Sequence, residues 1–184
     1  MKIILASASP RRKALLEQIG MTFEICPANC DETLAFIAKP SHAVMLLARR
    51  KAFACRKEHP EGLIIGADTI VSFQDQVFGK PKNEKDAYAM LNALSGRTHQ
   101  VFTGVCIAAS EKTQTFFVKT DVTFYPLTDQ IIRDYIATKE PMDKAGAYGI
   151  QGKGALLVQS VKGDYNNIVG LPVSELARRL TMDF

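Results

Sequence analysis

One aspartate interrupts an otherwise apolar run. Asp68 stands in IIGADTIV, and the flanks Ile64–Ile65 and Ile70–Val71 leave no solvated face nearby. A carboxylate buried there is costly unless it is paired or bound to a cation, so the position points to chemistry rather than packing. The alternative is an Asp satisfied by turn amides or an Arg. Asp31 and Glu32 are adjacent acids on a loop, and such a pair gains meaning only if another carboxylate approaches it. Ser7, Ser9, Arg11 and Arg12 lie in SASPRR, between a strand and a helix. Free N–H groups at a helix start, with guanidiniums beside them, can cradle phosphate. The same residues also describe a capped helix with two solvated arginines. Lys80 sits in the Gly–Pro turn GKPK, Lys51 in the helical stretch ARRKA, and Arg97–Thr98 follow a helix end. Each is a weak signal alone. DKAGAYGIQGKGALL places Gly146, Gly149, Gly152 and Gly154 around Gln151. Glycines permit close ligand approach, and a side-chain amide can read a base edge with donor and acceptor together.

Carboxylates, cations and a glycine-rich loop with an amide are the parts of a metal-assisted polyphosphate hydrolase. Carboxylates hold Mg²⁺ and share it with substrate phosphates, while Lys and Arg neutralise charge on phosphoryl oxygens. A carboxylate beside the metal can orient and deprotonate water. Spacing does not name the substrate.

The elements that must position these residues alternate. Lys2–Ala6 reads as a buried strand. A helix then runs from Pro10, capped by Ser9, to Gly20. Thr22–Cys26 alternates like a strand, and Ser41 caps a helix through about Arg56 with Val44, Leu47, Ala48 and Ala52 inward. Leu63–Phe73 is a strand interrupted by Gly66. Asn83 caps a helix with Ala87, Met90, Leu91 and Leu94 inward and Gly96 past its end. Val101–Ala109 and Thr115–Tyr125 form a hairpin around Glu111–Lys112. Thr128 starts a helix using Ile131, Ile132, Tyr135 and Ile136. Ala155–Val161 is another strand, and Pro172 opens a final helix ending near Leu180. Helices mixed with strands and a hairpin predict an α/β protein with a mixed sheet. Neither GxGxxG after the first strand nor GxxxxGK[ST] is present, so the Rossmann and P-loop readings lack their motifs.

The chain of 184 residues is 47% hydrophobic and 23% charged, an ordinary globular composition. One domain over 1–184 fits, and two lobes sharing a sheet are also allowed. No apolar run approaches the roughly eighteen residues of a membrane span. The apolar stretch Ile3–Ala6 is too short for a signal peptide and reads as a first strand. Cys26, Cys30, Cys55 and Cys106 read as free thiols of a reducing cytosol, because no His is placed to complete a site with the CxxxC pair Cys26–Cys30. A net charge of +4 without a polybasic run suits a small anion better than a nucleic acid.

SASPRR, Asp31–Glu32, GADTIV, GKP, LSGRTHQVFTGV and KEPMDKAGAYGIQG followed by KGDYNNIVGLP resemble the Maf family in order and over nearly the whole chain. The resemblance implies a nucleotide pyrophosphatase that uses a divalent cation, Mg²⁺ or Mn²⁺. It implies an elongated mixed β-sheet with flanking helices and a central cleft, like that of inosine triphosphate pyrophosphatase. Asp68 corresponds to the family's proton acceptor. Glu32, Lys51 and Lys80 correspond to polar residues of its catalytic cleft, and Ser7, Arg11 and Arg12 to its phosphate-binding start. Arg11, Thr69 and Gln151 match positions linked to substrate choice. AYGIQG resembles the branch acting on dTTP and UTP. Cleavage of 7-methyl-GTP and a non-catalytic nucleotide-binding regulator of cell division are the alternatives. Acids at Asp68 and Glu32 favour catalysis, since a metal bridging them makes sense and a pure anion binder gains nothing from them. A cytoplasmic enzyme that clears unwanted nucleotides, with a homodimer left open, is the resulting expectation.

Overall fold

The computed structural model describes residues 1–33 and 39–184. Among the described residues seven strands form a sheet in the order β2 (Glu24–Ile25), β1 (Ile3–Ala6), β3 (Leu63–Phe73), β5 (Thr98–Ala108), β6 (Thr113–Phe124) and β7 (Val158–Lys162), with β4 (Gln76–Phe78) paired to β3. The chain divides into two compact units. The first comprises Met1–Thr69, Thr103–Val118 and Gly170–Phe184, and the second Ile70–Phe102 and Lys119–Val169.

In the first unit, β1 (Ile3–Ala6) pairs in parallel with β2 (Glu24–Ile25) and with the start of β3 (Leu63–Phe73), Ile4 opposite Ile64 and Ala6 opposite Gly66. Helix α1 (Pro10–Gln18) follows β1, with Ser9 accepting from the Arg12 amide and Pro10 at the first position, where its missing N–H costs nothing. Helix α2 (Pro40–Arg56) buries Val44, Leu47, Ala48 and Ala52. Two glycines set how closely α2 lies on the sheet. A Cβ at Gly66 would fall 2.3 Å from the Ala48 carbonyl oxygen, and one at Gly104 would fall 2.3 Å from that of Val44. The core here joins Ile4, Ala6, Ala48, Ala52, Ile64, Cys106 and Ala108.

In the second unit, β4 (Gln76–Phe78) folds back antiparallel on the end of β3. Helix α3 (Glu84–Leu94), capped by Asn83, packs with α4 (Asp129–Ala137), capped by Thr128. Strands β5 (Thr98–Ala108) and β6 (Thr113–Phe124) form the hairpin, of which residues 98–102 and 119–124 belong to this unit and the rest to the first, and β7 (Val158–Lys162) lies antiparallel to β6. Leu91, Leu94, Phe124, Ile132, Tyr135 and Tyr148 centre this core. Helix α5 (Tyr165–Val169) belongs to the second unit and α6 (Val173–Asp183) to the first.

Parallel and antiparallel pairs make the sheet mixed, as the alternation predicts. Several expectations differ, beyond shifts of one to three residues at the ends of α1, β5, β6 and α6. Gly66 does not interrupt β3, because its missing Cβ makes room for α2 while the ladder continues. Helix α2 starts at Pro40 with no side-chain cap, so Ser41 is inside it. The strand expected over Thr22–Cys26 is only Glu24–Ile25. The strand expected from Ala155 begins at Val158, because Gly152–Leu157 is a 3₁₀ turn whose amides bond elsewhere. Helix α5 and strand β4 have no counterpart in the sequence reading. Ile131, expected inward, is 43% exposed, while Ile132, Tyr135 and Ile136 are buried.

Candidate active site

Asp68 is 7% exposed, on the part of β3 that α2 covers. Its charge has a partner one helix away. Lys51 Nζ donates to Asp68 Oδ1 at 2.6 Å and lies 3.0 Å from Glu32 Oε1. Lys51 comes from the face of α2 beside Ala48 and Ala52, the residues that contact Gly66, so the glycine and the lysine are parts of one packing arrangement. Little of the Lys51 or Asp68 side chain is exposed, whereas most of Glu32 is. In a pair this buried each ion compensates the other's lost hydration, and removing one partner typically costs about 3–5 kcal/mol.

The SASPRR segment is a wired turn. Ser7, buried at the end of β1, accepts from the Ser9 amide at 3.2 Å and from Arg12 Nη1 at 3.1 Å. Arg12 also donates through Nε to the Gly170 carbonyl at 2.8 Å and through Nη2 to Thr69 Oγ1 at 3.2 Å. Thr69 and Thr103 share a hydroxyl hydrogen bond of 2.9 Å. Desolvation lowers the Arg12 pKa, and the charges of Asp68 and Glu32 oppose that. A guanidinium remains charged throughout. These contacts make Arg12 a brace that ties the turn to Thr69 and Gly170. Arg11, the next residue on α1, is half-buried.

Ser7, Arg11, Arg12, Glu32, Lys51, Asp68 and Thr69 all belong to the first unit, and Lys80 and Gln151 to the second. Lys80 is exposed in the turn after β4. Its neighbour Gly79 accepts from the Gly146 amide at 3.0 Å, which ties the GKP turn to the glycine-rich stretch. Gln151 is exposed at the start of the 3₁₀ turn Gly152–Leu157 and does not cap it with its own side chain.

Among the described residues, two groups offer possible metal ligands, and they differ in chemistry. Glu32 Oε1 and Asp68 Oδ1 converge on Lys51 Nζ, which fills that point, so the hard donors left for a cation are the carboxylate oxygens not paired with the lysine. Such a donor set fits Mg²⁺ or Mn²⁺. Cys26, Glu58 and His59 bring one sulfur, one oxygen and one nitrogen within 4.8 Å of one another, a softer, zinc-type set. The sequence reading takes Cys26 and Cys30 as free thiols because no His is placed to complete a site with them. The fold instead brings His59, just past the end of α2, to Cys26. All four cysteines are free thiols. The reading along the chain also missed Thr103, the Gly170 carbonyl and Glu140. Thr103 had a signal, a hydroxyl in a mostly apolar strand. The Gly170 contact is made by backbone and leaves no residue-type signature.

Residues 2–182 match the family model described as Maf, Maf-like protein. A Bacillus cereus protein named dTTP/UTP pyrophosphatase is 53% identical over 179 residues, covering 97% of this chain and 94% of its own length. A protein of the same name from Bacillus thuringiensis subsp. konkukian is 52% identical over the same shares of the two chains. Among solved structures, the Staphylococcus aureus Ham1 protein aligns with a TM-score of 0.49 and 14% identity, covering 67% of this chain and 72% of that one. Among the described residues no helix is long and apolar enough to cross a membrane. With nearly its whole length matched by the family model and by relatives more than half identical, the chain belongs to the Maf family.

Proposed function

We propose that the chain hydrolyses dTTP and UTP, and modified pyrimidine triphosphates, to the nucleoside monophosphate and pyrophosphate. The observation that carries this is Lys51 held between Asp68 and Glu32, with the Ser7–Arg12 turn in the same unit. The names of relatives more than half identical over 97% of the chain support the substrate class.

In this reading the amides and guanidiniums of the SASPRR turn bind the phosphate chain. Lys51 donates to Asp68 Oδ1, leaving Oδ2 to accept a proton from water. The water oxygen attacks the α-phosphorus, the bond from that phosphorus to the bridging oxygen breaks, and pyrophosphate leaves with the electron pair. Glu32 and Asp68 would hold Mg²⁺ or Mn²⁺, which when bound neutralises phosphate oxygens and makes the water more acidic. Lys80 is a second cation for the polyphosphate. Arg11, Thr69 and Gln151 select the substrate, Gln151 by pairing with the alternating carbonyl and N–H groups of a pyrimidine edge.

Hydrolysis in isotopically heavy water tests the chemistry. The heavy oxygen is expected in dTMP. Its appearance in pyrophosphate would mean attack at the β-phosphorus, and absence of turnover on any triphosphate would leave a binding protein.

A further inference from the structure

Gln151 is exposed, yet the backbone after it is fastened to the Glu140 carboxylate and the backbone before it to the Tyr135 hydroxyl, which donates to that same carboxylate. Glu140 follows Lys139, a non-glycine residue with φ of 62° that turns the chain after α4. Glu140 Oε1 accepts from the Gly154 amide at 3.1 Å and from the Tyr135 hydroxyl at 3.0 Å, and Oε2 accepts from the Lys153 amide at 3.1 Å. The Tyr135 oxygen in turn accepts from the Gly149 amide at 3.1 Å. Two residues thus bind the chain just before and just after Gln151. The fit leaves no spare room. A Cβ on Gly152 would lie 2.8 Å from Glu140 Oε2, and one on Gly154 would lie 2.0 Å from the Gly149 carbonyl oxygen and 2.6 Å from the Tyr135 hydroxyl. Lys144 Nζ donates to the Glu140 carbonyl at 2.8 Å, which fixes the main chain that carries the carboxylate.

This is helix capping done from a distance. The first amides of a helical turn need acceptors, and the residue at its start often supplies one. Gln151 stands at that start and does not. Glu140 takes the amides instead, with the added strength of a charged acceptor. The Gln151 amide is therefore not consumed by its own backbone. Burial raises the Tyr135 pKa, so its hydroxyl stays protonated as a donor to Glu140.

We infer that Glu140, with Tyr135, is the positioning residue for base selection: it sets the 149–154 loop so that Gln151 meets the pyrimidine edge. The inference rests on the proposed role of Gln151. Neither Glu140 nor Tyr135 touches the reacting phosphates in this account. Loosening the loop therefore weakens discrimination between bases and leaves the chemical step nearly intact.

The test is kcat and KM for dTTP and dGTP on the full chain, comparing wild type with Glu140→Gln, Tyr135→Phe, Gln151→Ala and the double variant Glu140→Gln/Gln151→Ala. Glu140→Gln sets an N–H donor against one of the loop amides. Losing or opposing hydrogen bonds of this kind is worth about tenfold each. Expected are a fall of about tenfold or more in the dTTP over dGTP ratio for Glu140→Gln, a smaller fall for Tyr135→Phe, and KM for dTTP rising more than kcat falls. The double variant should be no less selective than Gln151→Ala alone. If Gln151→Ala lowers the ratio while Glu140→Gln and Tyr135→Phe keep it, the positioning role is overturned. If Gln151→Ala keeps the ratio, the role of Gln151 fails first and the inference fails with it. Should Glu140→Gln not fold, Tyr135→Phe decides, since it removes one hydroxyl and leaves the carboxylate, and an unchanged ratio there overturns the proposal.

Discussion

Lys51 Nζ lies 2.6 Å from Asp68 Oδ1, an ion pair largely withdrawn from solvent between helix α2 and strand β3. The lysine compensates the buried aspartate, and only one carboxylate oxygen is used in doing so. Asp68→Asn keeps the shape and removes the base. Turnover of dTTP should fall by about 10²–10⁴-fold, the usual worth of a general base. Circular dichroism should show the fold intact. A purified, folded variant with at least half of wild-type activity would make Asp68 a structural residue.

The two metal-capable groups predict opposite sensitivities. Activity should depend on added Mg²⁺ or Mn²⁺ and be lost in EDTA, and Glu32→Gln should raise the metal concentration needed for half-maximal rate. Cys26→Ser and His59→Ala should leave the Mg²⁺ dependence as it is, because sulfur and imidazole suit softer ions. A metal requirement that follows Cys26 or His59 would move the catalytic ion away from Glu32 and Asp68. Full activity in chelator would remove it altogether.

Much of this was legible because local chemistry and tertiary structure agree. Ser9, Asn83 and Thr128 each stand before a helix, and each accepts from the backbone amide of the third residue on. Asp68 announces itself as a charge where β3 should be apolar. The unreadable parts depend on contacts distant in sequence. Arg12 reads as a free phosphate ligand, but its Nε is spent on the Gly170 carbonyl. Ala155–Leu157 reads as the start of a strand, yet Glu140 takes the amides of Lys153 and Gly154 and these residues fall in the 3₁₀ turn Gly152–Leu157. Tyr135 looks like one more apolar residue of α4, and its hydroxyl is what matters. Glu140 sits in KEPMD with nothing local to distinguish it from a solvated acid.

Gly66 should tolerate nothing larger. A Cβ there meets the Ala48 carbonyl oxygen at 2.3 Å and the Ala52 amide nitrogen at 2.7 Å, both main-chain atoms that cannot swing away. Gly66→Ala is expected to cost about 1–3 kcal/mol through displacement of α2. That lowers Tm by several degrees and also lowers kcat, because α2 carries Lys51. A variant with wild-type Tm and kcat would show that α2 is not seated on this glycine.

His99 makes stability depend on pH. It is fully buried, shares a 2.8 Å hydrogen bond with the Tyr148 hydroxyl and has the Phe124 ring 4.9 Å away. Burial pushes its pKa down to about 4. An unfolded histidine titrates near 6.5. Between these values the unfolded chain binds a proton that the folded chain does not, so stability is full above about pH 6.5 and falls as pH drops toward 4. The loss is on the order of 3 kcal/mol at most. Tm measured across this range should decline in the wild type and decline less in His99→Phe. Parallel profiles for the two proteins would show that His99 is not the group responsible.

The most direct test of the account is the base preference itself. Gln151 can donate and accept on a pyrimidine edge, and a site built to hydrogen-bond a substrate group rejects bases that leave its polar atoms unpaired. The measurement is kcat/KM, by pyrophosphate release in Mg²⁺, for dTTP, UTP, dATP, GTP and 7-methyl-GTP on wild type and Gln151→Glu. The account predicts dTTP and UTP far above both unmodified purines, and a narrower gap in Gln151→Glu. Equal values for pyrimidines and purines on the wild type, or a preference for 7-methyl-GTP, would contradict it.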